Sequence, residues 1–268
     1  MNQPIVAGVS LSGARPPMVR WAAAEAASRG AGLRLVTAYS GTGRDAVTRR
    51  LAEVAAVVAE TWPGLEVHTE SVAGQPAAVL RDAAADAGLL VVGADDASPF
   101  TEAIVGSVPG ALLTTTPCPL VVAPRREWTT PESAPVVVAM DGLETALAAL
   151  DYAFAAAARS GRSLTVLRGL PADPAESGMI LARFGERSGG VDVTTDLSRG
   201  DTAGALVAVS RSAAQLVLGS HGRGRHAPGL FGSVSRTLIR GAGCPVVVAR
   251  ATDEEVGRGA SSYAHRAS

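Results

Sequence analysis

Short apolar runs alternate with longer segments that carry an apolar stripe at helical spacing. In the second half, the runs 136–140, 164–167 and 215–219 are continuous and short, which is typical of strands buried on both faces of a parallel sheet. The segment 144–161 is amphipathic and ends at a glycine, a common helix terminator. Between these lie a weaker helix prediction at 172–188, a strand at 191–197 and a helix at 201–213 with Asp201 as its N-cap. The alternation predicts an α/β fold with helices on both faces and right-handed crossovers.

The same order of elements occurs twice along the chain. At an offset of 126 residues, Gly93 matches Gly219, 106–108 matches 232–234, and the Cys-Pro pair at 118–119 matches the pair at 244–245. The two halves begin with 4–10 (PIVAGVS) and 135–141 (PVVVAMD), which match at an offset of 131 residues. The offsets differ by five residues, so a length change of that size is predicted between the second and third strands.

The repeat predicts two homologous domains, each with a doubly wound, five-stranded parallel sheet. The first is expected at 1–125 and the second at 135–250. The polar, proline-bearing stretch 126–134 is the predicted linker. Residues 251–268 lack hydrophobic periodicity, and we expect a disordered tail there.

Composition narrows the classes of function. The chain has 268 residues and a net charge of −1, so no overall basic field indicates a nucleic-acid partner. The chain contains 24 arginines and no lysine. A Walker-type phosphate loop and Schiff-base chemistry both need a lysine, and are therefore excluded.

The sequence also predicts the cellular compartment of the protein. The N-terminal segment has no basic leader, and no apolar run approaches the roughly 18 residues that a membrane span needs. Cys118 and Cys244 occupy equivalent places in the two halves and are expected to be buried apolar residues rather than a disulfide. We predict a cytoplasmic protein without a membrane partner or a metal site.

The most informative segment is 219–233, GSHGRGRHAPGLFGS, between a strand and a helix. Glycines let a backbone approach a ligand closely, and the first amides of a helix have no partners within it and attract phosphate. Arg223 and Arg225 add positive charge, and Asp141 follows the first strand of the same half. The glycines also suit a plain turn, but the loop, the helix opening and the acid together favour a nucleotide site.

The spacing Gly-x2-Gly-x9-Gly-Ser, at Gly219, Gly222, Gly232 and Ser233, resembles the ATP-binding signature of the universal stress protein family. The order of elements in both halves is similar to that family, which implies a tandem member with adenine nucleotide alpha hydrolase-like sheets of strand order 3-2-1-4-5. The implied cofactor is ATP, alone or with Mg²⁺. The resemblance implies that Asp141 contacts the ribose or the adenine and that the stretch from Leu167 to Gly169 faces the adenine. It also implies that Gly219, His221 and Gly222 line the phosphate and ribose side. The phosphates themselves would contact Gly232, Ser233 and Val234.

The resemblance also implies partners. Family members often pair domains through their last strands, here 119–124 and 245–250; a tandem chain can make that pairing internally, and a homodimer is the other arrangement. A regulatory protein of unknown identity is the further expected partner. The implied function is a stress-response regulator that binds nucleotide. The alternatives are a slow ATPase and a scaffold that binds no nucleotide.

The first half departs from the signature at two positions. Asp96 stands where the second half has Gly222, and Ser10 stands where it has Asp141. A carboxylate would repel phosphate, and loss of the strand-one acid removes a ribose or adenine partner. We therefore predict weak or absent nucleotide binding in the first half, although its strand-to-helix turn and helix opening should persist.

Overall fold

The computed structural model describes residues 2–10, 16–41, 43–94, 107–140, 143–169, 178, 190–198, 202–219 and 233–250. The chain divides into two compact units, which we call unit 1 (Met1–Trp128) and unit 2 (Thr129–Ser268).

Unit 1 alternates strands and helices. Its described elements are β1 (Ile5–Gly8), α1 (Pro16–Arg29), β2 (Leu33–Tyr39), α2 (Arg44–Thr61), β3 (Val67–Ala73), α3 (Pro76–Ala83), β4 (Leu89–Gly93), α4 (Ser107–Thr115) and β5 (Leu120–Ala123). The strands are parallel neighbours in the order β3-β2-β1-β4-β5.

Unit 2 repeats the alternation. Its described elements are β6 (Val136–Met140), α5 (Leu143–Ser160), β7 (Leu164–Gly169), β8 (Val193–Ser198), α6 (Thr202–Val209), β9 (Gln215–Gly219), α7 (Ser233–Gly241) and β10 (Val246–Ala249). The strands are parallel in the order β8-β7-β6-β9-β10. The predicted helix at 172–188 lies outside the described residues except for residue 178, and Asp201 lies outside them too.

The predicted α/β class with parallel strands is confirmed. Counted from the first strand of each unit, the order within a unit is 3-2-1-4-5. The strand interiors explain the continuous apolar runs: Val136, Val137 and Val138 are all fully buried. Side chains of a parallel strand are covered on both faces, so no polar alternation is needed.

Strand register shows where the two units differ in length. Leu33 of β2 pairs with Val67 of β3, and Leu164 of β7 pairs with Val193 of β8. The first members of these pairs lie 131 residues apart in the chain and the second members 126. The five-residue change therefore lies between the second and third strands, as predicted, and leaves the register unchanged.

The first helix of each unit buries the same stripe. The buried residues of α1 are Met18, Val19, Ala22, Ala23 and Ala26, and those of α5 at the equivalent positions are Ala149, Leu150, Ala153, Phe154 and Ala157. The alanines let both helices approach the strands closely, since they add little side-chain volume. This packing accounts for the alanine runs in the sequence.

The helix predicted at 201–213 ends earlier than expected, at Val209. Ser210 donates its hydroxyl to the carbonyl of Val207 at 2.7 Å, and Ser212 donates to Val209 at 3.2 Å. Serine side chains that take up backbone carbonyls compete with the helical ladder. The amide of Arg211 bonds to Ala208 in a tighter turn. Among the described residues, no helix is both long and apolar enough to cross a membrane.

Candidate ligand-binding edge of unit 2

The carboxyl ends of β6 and β9 meet at the point where the strand order of unit 2 reverses. From β6 the chain moves outward to β7 and β8, whereas β9 leads the other way to β10. Ala139 of β6 pairs with Leu218 of β9, so the last residues of both strands lie side by side. In doubly wound folds the crevice beyond such a reversal binds ligands.

The start of α7 lies at the same edge, because α7 connects β9 to β10 and these two strands are parallel. The helix begins at Ser233, and its first amides have no partner within the helix. The side chain of Val234 is half-buried and packs against the core cluster that contains Leu206 and Leu238. That contact holds the start of the helix against the core of unit 2.

Two glycines end the strands that border this edge. Gly169 is the last residue of β7 and Gly219 is the last residue of β9. Gly219 pairs with Ala249 and is half-buried. Neither glycine has a side chain, which is the property that lets another group approach a backbone closely.

Leu167 lies deeper than the predicted adenine contact suggests. Its side chain is 5% exposed and belongs to the core cluster with Val137 and Leu206. The side chain therefore supports the strand from within the core. The adenine contact of Leu167 to Gly169 stays a prediction.

Four of the predicted site residues, Asp141, His221, Gly222 and Gly232, lie outside the described residues, as do Arg223 and Arg225. Their roles stay predictions. In the described part of the chain, the end of β6, which precedes Asp141, lies beside the end of β9, which precedes the loop 220–232. Among the described residues, no cluster of three or more histidine, cysteine or acidic side chains could hold a metal ion.

Arg168 lies within the predicted adenine-facing stretch from Leu167 to Gly169, but its burial was not predicted. It is only 8% exposed although it carries a charged group. It pairs with Met140, the last residue of β6, directly beside the strand reversal. The sequence feature that could have indicated this burial is an arginine within a mainly apolar predicted strand, LTVLRG.

Another residue that sequence analysis did not single out connects α6 to the turn before β10. Ser210 is fully buried, and its hydroxyl oxygen accepts a 2.9 Å hydrogen bond from the amide of Gly243. The bond ties the end of α6 to the turn between α7 and β10. The equivalent residues of unit 1 are Ala84 and Pro117, so this connection is specific to unit 2.

Unit 1 has the same strand end and helix start as the candidate edge of unit 2. Gly93 ends β4 and Ser107 begins α4, so the predicted helix opening is present. The amide of Val9 bonds to the carbonyl of Val36 at 2.8 Å, which extends the β1–β2 pairing up to the exposed Ser10. Asp96 lies outside the described residues.

The repeated α/β fold agrees with the comparison with known families. The model of the Universal stress protein family matches residues 1–124 and 175–250. The chain therefore belongs to the universal stress protein family. The two matched segments lie in units 1 and 2 respectively.

Relatives of similar length carry the tandem arrangement. The chain is 30% identical to Universal stress protein Rv2623 of Mycobacterium tuberculosis, over 92% of this chain and 96% of the relative. A universal stress protein of Mycolicibacterium smegmatis is also 30% identical, with the same two coverages. A universal stress protein structure from Archaeoglobus fulgidus superposes with a TM-score of 0.76 at 20% identity, over 94% of this chain and 98% of that one; this likeness supports the fold.

Proposed function

We propose that unit 2 binds an adenine nucleotide at the edge formed by β6, β9 and the start of α7. The observation that carries the proposal is the position of Gly219 and Ser233. Gly219 ends β9 and Ser233 begins α7, and a glycine-rich loop connects the two beside the strand reversal. A helix start of this kind presents unpaired amides and a partial positive charge to phosphate.

The ligand would be ATP, alone or with Mg²⁺. Gly232, Ser233 and Val234 would bind its phosphates, and Gly219, His221 and Gly222 would line the phosphate and ribose side. Asp141 would hold the ribose or the adenine, and the end of β7 would face the adenine. The inward packing of the half-buried Val234 side chain supports this proposal, because it fixes the start of α7 in place.

The chain would act as a nucleotide-dependent regulator in a stress response rather than as an enzyme with turnover. A regulatory protein and a second copy of the chain are the proposed partners, in the cytoplasm. Cys118 and Cys244 are both buried and form no disulfide, which suits a reducing compartment.

Titration calorimetry with ATP and AMP tests the binding proposal. We expect saturable binding by the full chain and loss of most of the affinity in Gly232→Val, because a branched side chain would occupy the phosphate approach. Gly43→Val is the control and should bind normally, because Gly43 lies in unit 1 with a φ of −94° and open space around an added side chain. Absence of any adenine nucleotide binding by the wild-type chain would overturn the proposal.

Slow hydrolysis is the second candidate activity. Phosphate release above a no-protein control, abolished by Gly232→Val, would support it. A scaffold role without nucleotide is favoured by the two departures of unit 1, Ser10 and Asp96. Mass spectrometry of small molecules released from the purified chain separates that role from nucleotide binding.

A further inference from the structure

A buried hydroxyl joins the end of α6 to the turn that follows α7. Ser210, one residue past α6, donates to the carbonyl of Val207 at 2.7 Å, and its oxygen accepts a 2.9 Å hydrogen bond from the amide of Gly243. Because the hydroxyl has a partner in each role, its orientation is fixed. Gly243 directly precedes Cys244, which is 1% exposed in the core, so the turn is held on both sides.

The two backbones approach each other closely at this junction. A Cβ atom on Gly243 would lie 3.0 Å from Cα of Arg211 and 3.3 Å from the carbonyl oxygen of Ser210. Such contacts are too short for close-packed atoms to accept without a shift. Glycine therefore lets the turn reach the hydroxyl, and a residue with a side chain would push the turn away from the end of α6.

The helix α7 runs from the candidate edge to this junction. It extends over nine residues, Ser233–Gly241, so its start and its end lie about 12 Å apart along the axis. Val234 and Leu238 pack on the cluster that contains Leu206 of α6, which opposes sideways motion. Apolar contacts are non-directional, whereas a hydrogen bond fixes a distance. The position of α7 along its own axis is therefore set at its far end, by Ser210.

Unit 1 lacks both partners of the junction. Its equivalent residues are Ala84, which has no hydroxyl, and Pro117, which has no amide hydrogen. The helices α3 and α4 still pack against each other, so this pair of helices forms without the bond. The bond thus occurs in the unit with the intact glycine spacing and is missing from the unit in which Asp96 interrupts that spacing.

We propose that Ser210 is a positioning residue of the unit 2 site: its hydrogen bond to Gly243 fixes where α7 lies along its axis, and so where the amides at the start of α7 meet phosphate. This inference rests on the proposed function of that edge. Amide–oxygen hydrogen bonds span only about 2.7–3.2 Å, and the donors of a binding site must be held to within about 0.5 Å. A slide of α7 would weaken its phosphate contacts together and leave the rest of the ligand in place.

The test compares ATP with adenosine, which has the same base and ribose but no phosphate, by calorimetry on the full chain. Ser210→Ala removes the acceptor and introduces the residue that unit 1 has at this position. Gly243→Ala displaces the same turn by steric contact and keeps the hydroxyl. The two variants disturb the junction in different ways, so a shared result points to the position of the turn.

Two control variants separate positioning from other effects. Ser212→Ala removes an exposed hydroxyl that donates to the carbonyl of Val209 within its own turn, and it controls for the loss of a serine. Val136→Ala removes a fully buried side chain at the start of β6. Its neighbour Val137 packs in the cluster with α6 and α7, so Val136 lies on the opposite face of the sheet. This variant controls for a loss of stability.

We expect Ser210→Ala and Gly243→Ala to leave adenosine affinity within about twofold and to weaken ATP at least about tenfold, the effect of one lost hydrogen bond to a charged group. Ser212→Ala should bind both ligands like the wild type. Val136→Ala should lower the free energy of unfolding in urea but keep the ratio of ATP affinity to adenosine affinity.

An equal loss for both ligands in Ser210→Ala, or an unchanged ATP affinity, would overturn the positioning role while nucleotide binding stands. The same selective loss of ATP affinity in Val136→Ala would also overturn it, because general destabilisation would then account for the effect. A wild-type chain that binds neither ligand would overturn the proposed function and this role with it.

Discussion

At the scale of single residues, Cys244 shows how packing sets chemistry. It is 1% exposed and belongs to the core cluster of unit 2. Burial raises the pKa of its thiol from an ordinary 9.0 to about 12, because the thiolate is disfavoured away from water. The residue is therefore a neutral core group at neutral pH, as the sequence predicted for both cysteines.

The shifted pKa has a consequence for stability at high pH. Above pH 9 the unfolded chain loses the thiol proton while the folded chain keeps it, so the unfolded state binds fewer protons. The free energy of unfolding should therefore fall as the pH rises from about 9 toward 12. Cys244→Ala should make this decline shallower in urea unfolding between pH 8 and 10.5. Ser212→Ala, at an exposed position of the same unit, should keep the wild-type slope; an unchanged slope in Cys244→Ala would contradict the prediction.

At the scale of elements, a single arginine holds the end of the linker. Nη1 of Arg162, just after α5, donates to the carbonyls of Pro131, Glu132 and Ala134 at 2.7, 2.8 and 2.8 Å. The equivalent residue of unit 1 is Ala31. The linker residues nearest β6 are thus fixed to unit 2 by a contact that depends on α5 and its turn.

Loss of this contact should loosen the segment 131–134. In Arg162→Ala, glutamyl endopeptidase should cut after Glu132 at least about fivefold faster, because even one lost hydrogen bond contributes roughly 1 kcal/mol. Cleavage after Glu127, which lies before the segment, should keep its wild-type rate and serves as the internal reference. Arg211→Ala, at an exposed arginine of the same unit, is the matched variant. Equal cleavage after Glu132 in Arg162→Ala and the wild type would show that the three carbonyl contacts do not hold the segment.

At the scale of the whole molecule, the two units share a fold but differ at the positions that a nucleotide would contact. Equivalent strands keep the same register, and equivalent helices bury the same stripe. The differences include Ser10 against Asp141, Asp96 against Gly222 and Asp95 against His221. We therefore infer that duplication preserved the scaffold while the candidate sites diverged.

Binding stoichiometry tests this inference. Calorimetry should give about one ATP per wild-type chain, since unit 1 has a carboxylate in its loop and lacks the strand-one acid. The double variant Ser10→Asp with Asp96→Gly should raise the stoichiometry toward two, because it restores both features. Ser10→Asn with Asp96→Gly separates the charge of the strand-one acid from its size. Two sites in the wild-type chain, or one site in the restored chain, would contradict the inference.

The pattern of residues was enough to predict the α/β class, the tandem repeat, the site of the five-residue length change and the position of the α7 start. These features depend on local periodicity and on repetition of the chain, both of which can be read along the sequence. The early end of α6 was missed, because serine side chains took up its last carbonyls. Helix length was therefore decided by hydrogen bonds that periodicity does not show.

The sequence by itself determined the class of fold and the family, because apolar periods and the glycine spacing are properties of neighbouring residues. Only the tertiary structure decided that Arg168 is buried beside the strand reversal, and that Arg162 holds the linker carbonyls. Burial and hydrogen-bond partners depend on strands and turns that lie some 30 residues apart in the chain, as Arg162 and Pro131 do. The burial of Arg168 is thus a product of the fold, whereas the glycines and the start of α7 are already visible in the sequence.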